Sequence, residues 1–422
     1  MFKRIMGLAA ISVLTFTTLT GCGGAGKAAD GSAAAGDGSQ KVTIKFWDGN
    51  WSEPRFQEVK KMWEEQHPDI ELVAEFQVDD GMSDKYMMSL QNGSAPDVVA
   101  CALDWVSTFG NAGLLAPLDE YIEKDGVDTG MYVKGAIDAS TIDGKLYGLP
   151  FRSETYGLYY NKDILAAAGY DKAPETLEEM KEIAKACTND QVAGFGLCGA
   201  NFSNFSFQYI NMLRCAGGDV LNADATASAL DTKEAVYTAN LYGELAQYAP
   251  ASLLENNNIA NRTLFASGKI AMYLSGIYDM PEITKANPEL NFGCAMVPVA
   301  EGAERHTLLG GWSVAIPECS KNKEAAWEFV KFITSSEVAA LYTNTFTGTM
   351  EPSVDFEQYP EEMVKPQQEA LDFATALPSI PQITSIRQAI FDNLVLALSG
   401  DMTAEDAILQ ASDVVNGLLQ KQ

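Results

Sequence analysis

The spacing of apolar residues between positions 42 and 76 constrains the fold of this chain more than any other feature. Over 42–46 apolar and polar residues alternate, which is typical of a strand with one buried face. Over 56–67 apolar residues recur at helical spacing, and alternation returns over 70–76. A strand, a helix and a second strand in this order predict two parallel strands joined by a right-handed crossover. The predicted fold class is therefore α/β.

Further segments carry strand or helix patterns of the same kind. Residues 97–102 predict a strand, and 105–112 predict the helix that follows it. Thr176 and Glu179 have the spacing of a capping box, which predicts the start of another helix. Residues 403–419 predict a final amphipathic helix.

An extended, aromatic stretch over 144–163 carries no helical period and is longer than a typical strand. The chain beyond residue 40 is too long for one simple core, which indicates two lobes. We interpret the stretch as a strand that leaves one sheet and enters another. This placement puts residues 152–156 in the cleft between the lobes, where ligand sites are favoured.

The first 22 residues have the order of an export signal. Two basic residues precede an uncharged apolar run over 5–16, which is too short for a membrane span. The sequence Leu19-Thr20-Gly21-Cys22 then resembles the lipobox of bacterial lipoproteins. This resemblance implies a signal peptide over 1–21 and a lipid on Cys22. The alternative is an ordinary secreted protein whose signal ends near a cysteine.

The segment that follows the signal predicts a flexible linker over 22–40. It contains Gly, Ala, Ser and Asp but no aromatic or β-branched residue, so it cannot bury enough apolar surface to fold. The folded body is expected to start near Lys41. No later apolar stretch is long enough to span a bilayer.

The chain is strongly acidic, with 57 Asp and Glu residues against 29 Lys and Arg residues and a net charge of −28. A surface this negative repels nucleic acid and anionic lipid head groups, so no nucleic-acid partner is predicted. No cluster of Lys and Arg offers a basic pocket, which disfavours phosphorylated or strongly acidic ligands. Solubility outside the cell explains most of the charge.

Seven cysteines and two histidines limit the redox and metal chemistry. Outside the cell thiols are able to pair, and Cys187 and Cys198 are near enough in sequence to close a small loop. A chain of this size does not need such a link, so mostly unpaired, buried cysteines are expected. No CxxC motif occurs, and two histidines argue against a zinc site. Neither a metal nor a cofactor is predicted.

A series of short motifs runs through the body of the chain. The motifs lie at 91–98 (QNGSAPDV), 113–118 (GLLAPL), 144–150 (GKLYGLP), 160–163 (YNKD), 265–272 (FASGKIAM), 309–316 (LGGWSVAI), 325–332 (AAWEFVKF), 380–382 (IPQ) and 399–400 (SG). In this order they resemble the extracellular solute-binding proteins of ABC importers, specifically the maltose-binding-like, carbohydrate-binding family. Each motif alone is weak, whereas their order behind a lipobox is specific. The resemblance covers nearly all of residues 41–422.

The resemblance implies a two-lobed, periplasmic-binding-protein-like fold of type II, with a ligand cleft between lobes that hinge crossings connect. Lobe 1 would cover 41–152 plus 298–348, and lobe 2 would cover 153–297 plus 349–422. Such a protein captures a carbohydrate, closes by hinge motion and delivers its ligand to the transmembrane permease subunits of an ABC importer. It would be a monomer without enzyme activity, held by its lipid at the extracellular face of the cell membrane. The chain has no phosphate-binding loop motif, so ATP hydrolysis belongs to another subunit.

Candidate ligand residues combine aromatic rings with polar groups, because sugars present both apolar C–H faces and hydroxyl edges. The loop after the first strand is a favoured place for ligand contacts, because parallel sheets bind ligands at the carboxyl ends of their strands. Two glycines before Trp312 let the backbone approach closely and would leave its indole uncovered. Trp47 matches a strand-end position of the family that the chain resembles, although it fits core packing equally well, and Asn201 is chosen on composition alone. The candidates selected in this way are Trp47, Asp48, Asn50, Trp51, Trp105, Arg152, Tyr156, Asn201 and Trp312.

The resemblance assigns four more residues to the site. Asp104 matches a family aspartate that bonds sugar hydroxyls, although it also fits a helix N-cap. Glu154 matches a carboxylate in the family's cleft, and the alternative is that it is a solvated charge at the hinge. Tyr278 matches a family tryptophan that stacks on the sugar. Arg387 stands where the maltose binder has another stacking tryptophan, which argues against maltose itself and suggests contacts to hydroxyls or a uronate. Residues assigned to the core instead are Met62, Trp63, Trp327 and Phe329.

Other functions compete with the importer subunit. An extracellular glycoside hydrolase needs two carboxylates in its cleft. Acidic residues are abundant here, but nothing in the sequence places two of them together in a cleft. A sensor that presents its closed form to a signalling kinase would share the fold. A binder of a polyamine agrees with the acidity, whereas an iron binder disagrees with the shortage of histidine. Turnover of an oligosaccharide would separate the hydrolase from the binders.

Overall fold

The computed structural model describes residues 41–78, 81–350, 356 and 358–420. The signal peptide, Cys22 and the linker predicted over 1–40 lie outside this part of the chain. The residues from Lys41 onwards form one compact unit. None of the helices in the described residues combines the length and apolarity that crossing a membrane requires.

Strands and helices are interspersed along the described chain. The strands are β1 (Val42–Gly49), β2 (Ile70–Gln77), β3 (Val98–Ala102), β4 (Thr141–Ile142), β5 (Lys145–Leu146), β6 (Leu149–Glu154), β7 (Tyr156–Asn161), β8 (Ala193–Gly196), β9 (Ile270–Gly276), β10 (Phe292–Met296), β11 (Thr307–Leu308), β12 (Gly310–Ala315), β13 (Phe346–Thr347) and β14 (Ala374–Thr375). The α-helices are α1 (Glu53–Gln66), α2 (Met82–Gln91), α3 (Leu103–Asn111), α4 (Asp119–Asp125), α5 (Lys134–Ala139), α6 (Lys162–Ala167), α7 (Leu177–Cys187), α8 (Phe202–Cys215), α9 (Lys233–Ala246), α10 (Asn258–Ala266), α11 (Asp279–Ala286), α12 (Lys323–Thr334), α13 (Ser336–Tyr342), α14 (Glu361–Ala370), α15 (Ile383–Ser399) and α16 (Ala404–Leu419). This mixture of helices and strands confirms the predicted α/β class.

Two mixed sheets organise the described body. The larger sheet has the strand order β13-β6-β12-β3-β1-β2, and the smaller sheet has the order β10-β7-β9-β8. β1 pairs in parallel with β2 and with β3, which confirms the predicted strand–helix–strand unit. β12 lies antiparallel between β3 and β6. In the smaller sheet β7 is antiparallel to β9 and β10.

The chain passes from the larger sheet to the smaller one at Thr155. β6 ends at Glu154 and β7 begins at Tyr156, so the stretch predicted to leave one sheet and enter another does so through a single residue. Thr155 is buried, and its hydroxyl donates to the carbonyl oxygen of Gln367 at 2.6 Å. Between β10 and β12, the short strand β11 pairs in parallel with β14, outside both sheets.

Each sheet has its own apolar core. The core on the larger sheet contains Trp63, Trp327 and Phe329, which are buried as predicted, and Met62 packs against it while partly exposed. The core on the smaller sheet joins β7, β8 and β9 to α7, α8, α9, α15 and α16. Burial of one large apolar side chain contributes about 1.5–3 kcal/mol, so both cores are substantial sources of stability.

Local capping signals set several helix starts. The hydroxyl of Thr176 accepts from the backbone N–H of Glu179 at 3.1 Å, and the Glu179 carboxylate accepts from the Thr176 N–H at 3.4 Å. The predicted capping box therefore begins α7. Thr403 caps α16 by accepting from the N–H of Asp406 at 3.1 Å.

The six cysteines in the described residues are free thiols, and five of them are buried. Cys187 and Cys198 therefore do not close the loop that their spacing would have allowed. Burial raises the pKa of the Cys198 thiol to about 12, so this group stays neutral and packs as a small apolar residue.

Candidate functional site

Three tryptophans and one arginine gather on the larger sheet beside the crossing strand. The ring centroid of Trp312 lies 5.1 Å from that of Trp51 and 5.2 Å from that of Trp105, both edge to face. Arg152 stands opposite Trp312 in the pairing of β6 with β12. Its guanidinium carbon lies 5.1 Å from the Trp312 ring centroid and 5.5 Å from that of Trp51. These four residues are called the tryptophan–arginine cluster below.

The two glycines at the start of β12 allow neighbouring groups to approach the strand closely. Gly311 has a φ of +144°, and a Cβ there would lie 2.4 Å from the carbonyl oxygen of Arg152, so only glycine fits. A Cβ at Gly310 would lie 2.7 Å from the ring of Phe207 on α8. The prediction that these glycines leave the Trp312 indole uncovered is wrong for this structure. Trp312 is 8% exposed because the other two indoles of the cluster pack against it.

The cluster contains buried donors that have no acceptor among the described residues. They are the indole N–H groups of Trp51 and Trp105 and the Nε–H of Arg152. An unpaired buried donor costs about 1–3 kcal/mol, and the large majority of buried polar groups in proteins are paired. Oxygen atoms of a ligand are acceptors of the kind that such donors lack. These unpaired donors make the cluster the candidate binding site.

Two carboxylates balance the charge of the cluster. Nη2 of Arg152 lies 2.9 Å from Oε1 of Glu154, and these side chains are 8% and 12% exposed. Asp48 is fully buried and accepts from the Tyr342 hydroxyl at 2.6 Å and from the Gly49 N–H at 2.7 Å. Burial raises the pKa of Asp48, and the nearby charge of Arg152 opposes this with a smaller effect. With its cation already balanced, the cluster suits an uncharged ligand better than a uronate.

A second polar group lies on the smaller sheet. Nδ2 of Asn258 donates to the hydroxyl of Tyr156 at 2.7 Å and to that of Tyr278 at 3.2 Å. The ring of Phe207 lies 4.5 Å from that of Tyr156. Burial raises the pKa of Tyr278, and the carboxylate of Glu154 raises it further, so the phenol stays protonated. The structure thus brings both predicted tyrosines close to the predicted glutamate.

Sequence reasoning did not identify Asn258 or Phe207. Asn258 is the last of three consecutive asparagines at the start of α10, and such a run before a helix could have been noticed. Phe207 lies on α8 and has no local signal that separates it from a core residue.

Asp104 and Arg387 bind each other. Nη1 of Arg387 lies 2.6 Å from Oδ2 of Asp104, and the two side chains are 5% and 9% exposed. The Nε–H of Arg387 donates to the Ser206 hydroxyl at 3.0 Å, and Nη2 donates to the carbonyl of Ser203 at 3.0 Å. The alternative role of Asp104 as a helix cap is wrong, since Ala102 is the N-cap residue of α3. Their contacts with a sugar stay predictions.

The remaining candidates lie at the edge of this region. The indole N–H of Trp47 donates to Glu75 at 3.1 Å, and Nζ of Lys85 lies 4.6 Å from the Trp47 ring centroid. Asn50 is exposed, and Asn201 caps α8 through its side chain. Within the described structure Trp47 and Asn50 make no ring contact or hydrogen bond with the tryptophan–arginine cluster. The described residues contain no group of three or more His, Cys, Asp or Glu placed to hold a metal ion.

Comparison with known proteins identifies the family to which this chain belongs. Residues 50–340 match the family described as bacterial extracellular solute-binding protein. A maltooligosaccharide ABC transporter solute-binding lipoprotein from Streptococcus pneumoniae is 25% identical over 436 residues, covering 100% of this chain and 98% of its own. A putative binding protein from Brucella abortus is 29% identical over 318 residues, covering 74% of this chain and 75% of its own.

A solved structure agrees with these sequence relatives. An ABC transporter solute-binding protein from Thermotoga lettingae, bound to α-D-tagatose, superimposes with a TM-score of 0.79 at 27% identity. The match covers 90% of this chain and 100% of that chain, which confirms the predicted two-lobed fold. The chain belongs to the family of bacterial extracellular solute-binding proteins.

Proposed function

We propose that this protein is the substrate-binding subunit of an ABC importer and that it captures an uncharged carbohydrate outside the cell. The observation that carries the proposal is the tryptophan–arginine cluster, with its three indole rings and three buried N–H donors that lack acceptors. Aromatic faces pack against the C–H faces of a sugar ring, and N–H donors bond its hydroxyl oxygens. The names of the pneumococcal relative and of the tagatose-bound structure support the same ligand class.

Binding is coupled to hinge closure in this proposal. The cluster lies on the larger sheet, whereas Tyr156, Tyr278 and Asn258 lie on the smaller one, with Thr155 between them. A ligand that contacts both groups favours the arrangement in which they face each other, because it binds that arrangement more tightly. The passage of the chain between the sheets at Thr155 supports lobe boundaries near those predicted.

Delivery and location complete the proposal. The closed, ligand-bound protein would dock as a monomer on the transmembrane permease subunits of the importer, without catalytic turnover of its ligand. A lipid on Cys22 would hold it at the extracellular face of the membrane. The order of the first 22 residues supports this anchor, as does the word lipoprotein in the name of the pneumococcal relative.

Titration of tryptophan fluorescence tests the ligand class. The purified full chain would be titrated with neutral mono- and oligosaccharides, uronates and polyamines. We expect a saturable change with a neutral sugar, and we expect Trp51→Phe to weaken binding of that sugar. Trp327→Phe, a buried substitution outside the cluster, serves as the matched control and should keep the affinity.

Three results would contradict parts of the proposal. A response to a polyamine alone would overturn the carbohydrate ligand while leaving the family unchanged. A response to uronates in preference to neutral sugars would contradict the charge argument. Release of shorter sugars from an oligosaccharide during the titration would favour the hydrolase.

A further inference from the structure

Tyr86 carries a buried hydroxyl that has no hydrogen-bond partner among the described residues. It lies on α2, where Met82, Tyr86 and Leu90 form a buried face at helical spacing. The residue is 1% exposed, and its hydroxyl stays unpaired within the described structure. Every other buried tyrosine in the described part of the chain has a partner for its hydroxyl. Since buried tyrosine hydroxyls are usually paired, Tyr86 differs from the tyrosines of the core.

The ring of Tyr86 contacts two candidate ligand residues. Its centroid lies 5.9 Å from that of Trp105, edge to face, and 5.5 Å from that of Trp47. Trp105 in turn packs against Trp312 in the tryptophan–arginine cluster. The indole N–H of Trp105 also has no acceptor among the described residues. Two side chains in direct ring contact therefore each carry an unpaired polar group.

The Tyr86 hydroxyl lies near the carboxyl ends of parallel strands. β1 pairs in parallel with β2 and with β3, Asp48 is the next-to-last residue of β1, and Glu75 lies two residues before the end of β2. Burial raises the pKa of Tyr86, and the carboxylates of Asp48 and Glu75 raise it further. Charges shift a pKa in this way from nearby positions, so the hydroxyl is close to both strand ends and stays protonated. This is the edge at which parallel sheets bind ligands.

We infer that the hydroxyl of Tyr86 is a further contact for the bound carbohydrate and meets one of its hydroxyl groups. This inference rests on the proposed function. A tyrosine hydroxyl both donates and accepts hydrogen bonds, whereas the unpaired N–H groups of the cluster only donate. A sugar hydroxyl uses both capacities, since it has a proton to give and lone pairs to receive one, while an ether oxygen only accepts. Tyr86 therefore selects for a ligand hydroxyl at this position.

Substitution of Tyr86 by phenylalanine tests the inference, because it removes the hydroxyl and keeps the ring beside Trp105. The purified full chain and the variant would be titrated by calorimetry with glucose, galactose, mannose, maltose and lactose. For the sugar that the wild-type protein binds most tightly, we expect the affinity to fall about tenfold or more. Urea unfolding without sugar should show no matching loss. The midpoint of Tyr86→Phe should equal or exceed that of the wild type, since the substitution breaks no hydrogen bond and removes an unpaired buried group.

Tyr132→Phe is the matched control. Tyr132 is buried in the same apolar core as Tyr86, and its hydroxyl lies 3.0 Å from that of Thr334. This variant loses a hydrogen bond of the folded protein, so its unfolding midpoint should fall while its affinity for the sugar stays at the wild-type value. A purely structural role for the Tyr86 hydroxyl would give Tyr86→Phe the same pattern as this control.

The outcomes separate this inference from the function on which it rests. A Tyr86→Phe variant with wild-type affinity for the sugar overturns the inference and leaves the carbohydrate function standing. A fall in its unfolding midpoint as large as that of Tyr132→Phe also overturns the inference, because the hydroxyl would then be paired inside the ligand-free protein. Absence of wild-type binding to all five sugars overturns the proposed function and the inference together.

Discussion

Substitution of Arg152 by methionine tests whether balanced buried charges hold the candidate site together. Arg152 is 7% exposed, forms a 2.9 Å ion pair with Glu154 and lies over the rings of Trp51 and Trp312. Methionine keeps an unbranched apolar stem but removes the guanidinium. The carboxylates of Glu154 and Asp48 would then remain buried beside an apolar group.

The structure sets the expected size of the effect. Removal of one partner from a buried ion pair costs about 3–5 kcal/mol, because the other charge stays desolvated. The substitution also removes two cation–π contacts of about 0.5–2 kcal/mol each. Their free energies are not added to that of the ion pair, because all three interactions involve the same guanidinium. We therefore expect the free energy of unfolding to fall by about 3–5 kcal/mol. This is a large part of the 5–15 kcal/mol (roughly) that stabilises an ordinary domain.

Urea unfolding at neutral pH measures this loss. Circular dichroism and tryptophan fluorescence would be recorded together, because two sheets with separate cores need not unfold in one step. The double variant Arg152→Met/Glu154→Gln should recover much of the loss, since a neutral amide does not need the guanidinium. Lys172→Met removes a pair whose side chains are 69% and 72% exposed and should leave the unfolding midpoint unchanged. A loss below about 1 kcal/mol, or a double variant equal to the sum of its parts, would refute the reasoning.

Two further predictions concern Asp48 and Cys22. Burial raises the pKa of Asp48 above its value in the unfolded chain, so the folded state binds the proton of this carboxyl group more tightly. As pH rises from the unfolded pKa through the folded pKa, the wild-type protein therefore loses stability relative to Asp48→Asn. The stability of Asp48→Asn minus that of the wild type should therefore grow from acid towards neutral pH and then level off, and a difference independent of pH would contradict the raised pKa. Cys22→Ala should prevent incorporation of labelled palmitate in bacterial cells, and label on that variant would show that another residue carries the lipid.

The sequence predicted correctly those parts of the fold that depend on residues close together in the chain. The alternation over 42–46 and 70–76 records directly which face of each strand is buried, so the parallel pair of β1 and β2 followed from it. The capping box of α7 is formed by Thr176 and Glu179, three positions apart, so its residues need no distant partner. The stretch over 144–163 lacked a helical period, and it does pass from one sheet to the other.

The site was predicted less completely, because its geometry depends on residues far apart in the chain. Asp48 was predicted as a ligand contact in a loop after the first strand, yet it lies in β1 and its carboxylate accepts from Tyr342, 294 positions later. Arg387 and Asp104 are 283 positions apart, and no pattern of nearby residues predicts that they pair. The glycines beside Trp312 correctly indicated a close backbone approach, whereas the rings that cover its indole come from α3 and from the turn between β1 and α1. Residue type could select the candidates, but only the fold could decide which of them contact one another.

The same geometry explains how a ligand could control closure. Two contacts between the halves are neutral hydrogen bonds, one from Ser107 to Ile380 and one between Thr108 and Thr384. Separation of the two sheets would exchange each of them for a bond with water at a small net cost of about 0.5–1.5 kcal/mol. Without a ligand, the arrangement described leaves three buried donors unpaired, at about 1–3 kcal/mol each, or about 3–9 kcal/mol in total. A shift from a mostly open to a mostly closed population requires a differential affinity of about 5.5 kcal/mol, which lies within that range. On the proposed function, a ligand that satisfies the donors of Trp51, Trp105 and Arg152 would favour this arrangement by an amount comparable to what closure requires.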